Sequence, residues 1–285
     1  MAAAPRAPRA ELTMATPVYD SAFTRNTIAA EARILARYRP LLLELISRNI
    51  KTRYKRSVLG VAWTMLNPLL TMVVLTVVFS QLFAFRLPLY PVYLLSGLLV
   101  WNFFSQSTVA AINELVWSSS LLKRIYVPRT LFAVAAVGTA LVNVALALVP
   151  LGIIMLATGA PLRPALLFLP VALALAGLFA LGVGLALSAL AVFFADVVDM
   201  YQIVLVAWMY LTPIFYPPEI LADNVRWLLY VNPMFYILEC FRAPIYAGEL
   251  PAPGMLLGAT LSALVAVLFG GWFFARKSDD FTYYV

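Results

Sequence analysis

Histidine is absent from all 285 residues, and cysteine occurs once, at Cys240. The first absence removes the commonest general base and metal ligand. The second leaves no intrachain disulfide and no thiolate zinc site. A lone cysteine in an apolar stretch reads as a small buried residue. No Gly-Lys pair is present, so no G-x-x-x-x-G-K-[ST] loop can cradle a nucleotide. Charge is also scarce: charged residues make up 12% of the chain and hydrophobic ones 64%, against roughly 25% and 45–50% in soluble domains. No long apolar stretch carries an acidic residue near its centre, which leaves no evident proton relay or ion-coupling carboxylate. Any ATP-driven process must therefore take its motor from another polypeptide.

Where charge is missing, long apolar windows stand. Ser57–Phe85, Leu87–Asn113, Thr130–Leu162, Pro164–Ala195, Met200–Pro218 and Leu250–Ala275 contain no Asp, Glu, Lys or Arg. A spanning helix needs about 20 apolar residues, and a charge at its centre costs at least about 2.5 kcal/mol. The expected fold is an all-α membrane protein with six transmembrane helices, at about 58–84, 92–113, 130–157, 165–194, 200–216 and 254–275. Of the 20 basic residues, eleven lie in 1–57; Lys123, Arg124 and Arg129 lie between the second and third spans, and Arg276 and Lys277 follow the sixth. Only Arg86, Arg163, Arg226 and Arg242 fall on the other side. The positive-inside rule then places both termini in the cytoplasm. The net charge of +7 is a topology signal rather than a sign of nucleic-acid binding. The first 38 residues show no apolar core of a signal peptide, so the first span is expected to act as the insertion signal.

The pieces that do not span carry more information. Residues 1–27, rich in Ala, Pro, Arg and Thr, are expected to be disordered. Within 28–57, IAAEARILARY is a helix candidate interrupted by Pro40, and LLLELISRNIKTRYKR follows. At helical spacing, Leu42, Ile46, Ile50 and Tyr54 share one face, with Glu44, Arg48, Lys51 and Lys55 opposite. This amphipathic interface helix is expected to lie along the cytoplasmic surface, presenting Arg48, Lys51, Arg53, Lys55 and Arg56 to lipid phosphates. A plain membrane anchor would look the same. The loop 114–129 (ELVWSSSLLKRIYVPR) can form a short amphipathic knob from Leu121, Lys123, Arg124, Tyr126 and Arg129, which a soluble partner could grip. Residues 217–245 hold two apolar runs too short to span, separated by Asn232-Pro233. With Pro217, Pro218, Trp227, Glu239 and Arg242 they read as two short re-entrant or gate helices between the fifth and sixth spans, or as helices resting on the outer surface. Residues 276–285 form a cytoplasmic tail.

Inside the spans, Pro68, Pro150 and Pro170 invite kinks, and Gly177, Gly182, Gly184 and Ser188 permit close helix approach within the bundle. Aromatic residues at span ends usually form interfacial belts. Trp63, Trp208, Tyr210, Phe215 and Tyr216 fall deeper and suit a passage in which rings stack on sugars. Asn102, Gln106, Asn143 and Gln202 read as too few and too scattered for the polar rings of a passive channel. Asp196 and Asp199 are expected to cap helices or face a partner; they are the only acidic pair available to a membrane-embedded polyprenyl-substrate transferase.

Four blocks carry a resemblance: TRYKRSVLGVAWTMLNPLL, LLKRIYVPRTLF, FFADVVDMYQIVLVAWMYLTPIFYPPEIL and NPMFYILECFRAPIYAGELP. Their order and spacing resemble the permease subunit of an ABC-2 type exporter, in the branch that exports O antigens, capsules or teichoic acids. Family members commonly have Arg-Asp after the fourth span, where this chain has Ala195-Asp196. The resemblance implies a homodimer working with two copies of a P-loop ATPase subunit, on which ATP and Mg are bound, and no cofactor in this chain. It makes 114–129 the coupling helix, 39–56 an interface helix near substrate uptake, and 217–245 the extracellular gate. It also implies that the first and fifth spans of both copies line a canal for a lipid-linked polysaccharide. Export of a small amphiphile, lipid or drug is the alternative within the same family.

Overall fold

The computed structural model describes residues 35–55, 57–83, 88–117 and 128–277. The 1–27 tail, most of the 28–38 helix candidate, Arg56, the loop residues Leu121, Lys123, Arg124 and Tyr126, and most of the C-terminal tail lie outside them. Among the described residues every regular element is helical. The helices are α1 (Arg39–Tyr54), α2 (Ala62–Phe83), α3 (Tyr90–Trp117), α4 (Thr130–Thr158), α5 (Leu169–Phe193), α6 (Val197–Leu211), α7 (Asp223–Val231), α8 (Pro233–Arg242) and α9 (Pro253–Lys277). Helix α2, α3, α4, α5 with the 3₁₀ turn before it, and α9 are long and apolar enough to cross a bilayer. The chain is a multi-pass helical membrane protein.

Local chemistry sets the boundaries. Helix α4 stops where Gly159 takes φ 72°, a left-handed conformation that costs glycine little, and its N–H returns to the carbonyl of Leu156. Pro170 lies in the first turn of α5, where its missing N–H would have had no partner, so it starts the helix and does not kink it. Pro68 and Pro150 do sit inside α2 and α4. Helix α6 spans 15 residues, about 22 Å at 1.5 Å per residue, less than the roughly 30 Å hydrocarbon core. The helix expected to run to 216 ends at Leu211, since Pro213 disfavours helical geometry at Thr212.

Helix α3 is the axis of the bundle, with 72% of its spanning window buried, whereas α2 lies at the edge with 11%. The core runs along α3 through Leu94, Leu95, Leu98 and Phe104, and takes in Phe179 of α5 and Phe241 of α8. The closest crossing joins α5 and α9: a Cβ on Gly182 would strike the backbone of Ala266, and one on Gly270 would strike the carbonyl of Gly182. Gly184 faces Ala111 of α3 in the same way, at 3.1 Å. These glycines serve packing within the protomer, as their spacing suggests.

Helix α1 lays part of its apolar side against α4. Leu45 is buried with Leu131 and Ala135 of α4, and Leu42 and Ile46 join them. A Cβ on Gly138 would lie 2.6 Å from the Ile46 side chain. Further along, Asn49 donates to Glu114 of α3 at 2.5 Å and Arg53 donates to Gln106 at 3.3 Å. Four residues along α1 thus correspond to eight along α3, so α1 climbs against the bundle and carries Arg53 with it. An amphipathic pattern does not distinguish a lipid surface from an apolar helix flank, which is why this docking was not foreseen.

Candidate functional site

Two cavities meet at the upper end of α1. The first, about 290 Å³, lies between α2, α3 and α4 and is lined by Arg53, Trp63, Thr64, Asn67, Asn102, Gln106 and Asn143 among apolar residues. The second, about 540 Å³, lies between α3 and α6 and is lined by Arg53, Ser105, Gln106, Asn113 and Gln202 with Trp101 and Met209. Arg53 and Gln106 line both, and their hydrogen bond marks the junction. The side chains expected to be scattered therefore converge: Asn102, Gln106 and Asn143 share one cavity, and Gln202 lies next door. The carboxamide oxygen of Asn143 is buried without a hydrogen-bond partner among the described residues. Polar groups are costly at this depth and mark function more often than chance. A usable signal was present, because Asn102 and Gln106 stand four apart and so share a helix face.

Beyond Leu211 the chain leaves helical geometry and is held from outside. The carbonyl of Pro213 accepts from Arg242 Nη1 at 2.9 Å and from the Tyr93 hydroxyl at 3.2 Å. That of Ile214 accepts from Arg242 Nη2 at 3.3 Å and that of Phe215 from the Tyr90 hydroxyl at 3.0 Å, while the one Tyr93 proton is shared between the Pro213 carbonyl and that of Tyr216, 2.8 Å away. Non-helical backbone at membrane depth persists only when protein or a water-filled cavity satisfies it; here α3 and α8 do so residue by residue. Arg242 is 2% exposed, bonds Glu239 at 3.1 Å and places its guanidinium carbon over the Tyr93 ring. Asn232 completes the clamp. Its carboxamide oxygen accepts from the Trp208 indole and caps α8 through Met234 N–H, while its amide nitrogen donates to Thr212 Oγ1 at 3.0 Å.

The remaining residues singled out from the sequence distribute as follows. Trp208 is packed among Trp101, Phe104 and Phe179, with ring centroids 5.2–6.4 Å away. Phe215 is buried, Tyr210 is exposed, and the Tyr216 hydroxyl returns to the Tyr210 carbonyl. Trp63 opens α2, half exposed at the rim of the first cavity. Pro217 is buried and Pro218 begins a 3₁₀ turn; Pro233 starts α8, and Trp227 projects from α7. Arg48, Lys51 and Lys55 are exposed on α1, and Arg129 precedes α4. Asp196 and Asp199 are exposed at the start of α6, where negative charge complements the helix dipole. Cys240 is fully buried, and desolvation, with Glu239 nearby, pushes its thiol up to about 12. Tyr90 and Tyr93 were not foreseen; their three-residue spacing at the start of α3 is a signal that only the fold makes readable.

The sequence is 29% identical to an O-antigen export system permease protein RfbA from Myxococcus xanthus, over 87% of this chain and 96% of that protein. It is 25% identical to an O-antigen export system permease protein RfbA from Klebsiella pneumoniae, over 74% of this chain and 82% of that one. The family model described as ABC-2 type transporter matches residues 40–246, from the foot of α1 through α8. A helical membrane bundle with polar cavities, no nucleotide loop and this match belongs to the ABC-2 type transporter family.

Proposed function

We propose that the chain is the membrane-spanning permease of an ATP-driven exporter of a lipid-linked polysaccharide of O-antigen type. The observation that carries this is the near full-length similarity to permeases named for O-antigen export. A chain without a nucleotide loop takes its energy from a partner, and the family supplies one as a P-loop ATPase binding ATP and Mg. Two copies of the permease enclose a canal between α2 and α6, in the bacterial inner membrane, with both termini cytoplasmic. Helix α6 and the clamped Pro213–Tyr216 stretch make the sixth crossing, and α7 and α8 form the outer gate. Residues 114–129 couple to the ATPase.

Exposed Tyr210 and half-exposed Trp63 suit canal lining. Trp208 and Phe215 contribute from behind it, since their rings are packed within the protomer. Aromatic stacking suits a moving glycan because each contact is weak and tolerant of sequence. Translocation then needs no chemistry from this chain: partner closure shifts the coupling segment, rigid helices transmit the shift, and the polymer advances.

The test is co-reconstitution with a partner ATPase in proteoliposomes loaded with lipid-linked polysaccharide. ATP-dependent appearance of polymer on the far side is expected, and reversing the charge of Lys123 and Arg124 should leave the complex assembled with ATPase uncoupled from flux. ATP-driven movement of a small amphiphile with no polymer flux would replace this reading by its family alternative.

A further inference from the structure

The cavity between α2, α3 and α4 opens through Arg53 and Gln106 onto the α3–α6 groove and holds a wall of amide side chains. We infer that it is a binding site for the first sugar and phosphate of a lipid-borne glycan, an inference that rests on the export reading above. Three amides (Asn67, Asn102, Asn143) and Gln106 supply side chains that both donate and accept. Hydroxyl groups also do both, so a sugar ring can satisfy such a wall in either direction. Asn143 narrows the choice. One end of its carboxamide is buried without a partner among the described residues, and a group that both donates and accepts satisfies that end in either amide orientation. An ionised phosphate and an acyl chain have no proton to donate, whereas a sugar hydroxyl does. Thr64 and Pro68 complete the α2 side of the wall.

Charge and size agree with this ligand. No carboxylate lines the cavity among the described residues, so a phosphate meets no repulsion there. Arg53 stands at the edge with most of its five donors uncommitted to Gln106, and the guanidinium fork matches phosphate oxygens. Trp63 offers an apolar ring face with an N–H at its rim. At 290 Å³ the space equals about ten liquid waters, enough for a single sugar ring and too small for a folded oligosaccharide. Through Arg53 and Gln106 it joins the groove toward α6, so a head held here leaves the next sugars directed along the other face.

The experiment uses the assembled complex in lipid nanodiscs and three probes: a synthetic polyprenyl diphospho-hexose, the same polyprenyl diphosphate without sugar, and phosphatidylglycerol. Binding is read by native mass spectrometry and by the shift in thermal unfolding. The diphospho-hexose should bind most tightly. Asn102→Leu with Asn143→Leu should weaken it about thirty-fold, the size of two lost neutral hydrogen bonds, and leave the sugar-free diphosphate unchanged. Arg53→Gln should weaken both diphosphates. If the double variant fails to assemble, Asn143→Ala serves, with a smaller loss expected. Equal binding of phosphatidylglycerol, or unchanged diphospho-hexose affinity in the asparagine variants, overturns the assignment. A wild type that exports polymer while the asparagine variants bind and export normally removes only this site. A wild type that binds the probe through these amides but moves no polymer removes the export reading and leaves the site standing.

Discussion

The guanidinium carbon of Arg242 lies 3.8 Å from the centroid of the Tyr93 ring, and the two side chains share the carbonyl of Pro213. One comes from α8 and the other from α3, so the pair ties the short far-end helices to the bundle axis through the chain between them. Arg242→Gln removes the charge that Glu239 bonds and loosens two carbonyls. Arg242 is buried but Glu239 is a quarter exposed, so losing this pair costs less than the roughly 3 kcal/mol of a fully buried one, yet more than the roughly 1 kcal/mol of the hydroxyl lost in Tyr93→Phe. Thermal unfolding in detergent should therefore fall for both variants and further for Arg242→Gln; equal midpoints would contradict the clamp. Gly97→Ala should mimic the larger loss, since its methyl group would lie 2.6 Å from Arg242 Nη2.

The α5–α9 crossing is set by backbone contact between Gly182 and Gly270, not by interdigitated side chains. Gly182→Val and Gly270→Val should each force the helices apart, giving low yield and aggregated protein on size-exclusion chromatography. Gly254→Val is the control, because a Cβ there meets nothing within 4 Å. Comparable behaviour of all three would refute the packing account.

Release of α1 should be visible to a protease. Asn49→Leu breaks the bond to Glu114 and leaves that carboxylate without its described side-chain donor. Trypsin cleavage after the exposed Arg48 and Lys51 should then accelerate several-fold, with the rest of the bundle intact. An unchanged digestion rate would show that contacts with α4 alone hold the helix.

The single cysteine provides a background for labelling. Cys240 is fully buried and its thiol is raised to about 12, chiefly by desolvation, so the reactive thiolate stays scarce through pH 9. A membrane-permeant maleimide should label the native chain negligibly at pH 7 and pH 9. Lys55→Cys should be labelled by an impermeant maleimide only from the cytoplasmic side, and Trp227→Cys only from outside. The reverse pattern would invert the proposed orientation.

Much of the scaffold was legible because membrane solvation writes it directly into composition. Charge-free windows mark where the long helices run, whereas Pro170, which sits in the first turn of α5, reads from sequence as a kink inside a longer span. The end of α6 was legible too, in Thr212-Pro213, but was outweighed by apolar residues running on to Phe215. The site was harder to see. Asn67, Asn102 and Asn143 stand on three helices, and only the packing of α2, α3 and α4 brings them together. Trp208 and Tyr210 look alike as letters, yet a rotation of two residues puts one indole against Phe104 and leaves the other ring exposed. Local sequence records which residues a helix contains, and neighbours decide which way each one turns.

The unequal burial of α2 and α3 has a mechanical consequence. A helix gripped on all sides can move only if the whole core rearranges, whereas one held along a single flank can tilt at low cost. Pro68 gives α2 a pivot beside the amide-lined cavity, and α3 supplies a fixed wall against which it can swing. A tilt of α2 would load the α3 and α4 flanks it packs against, and the glycine crossing of α5 and α9 lies apart from that path.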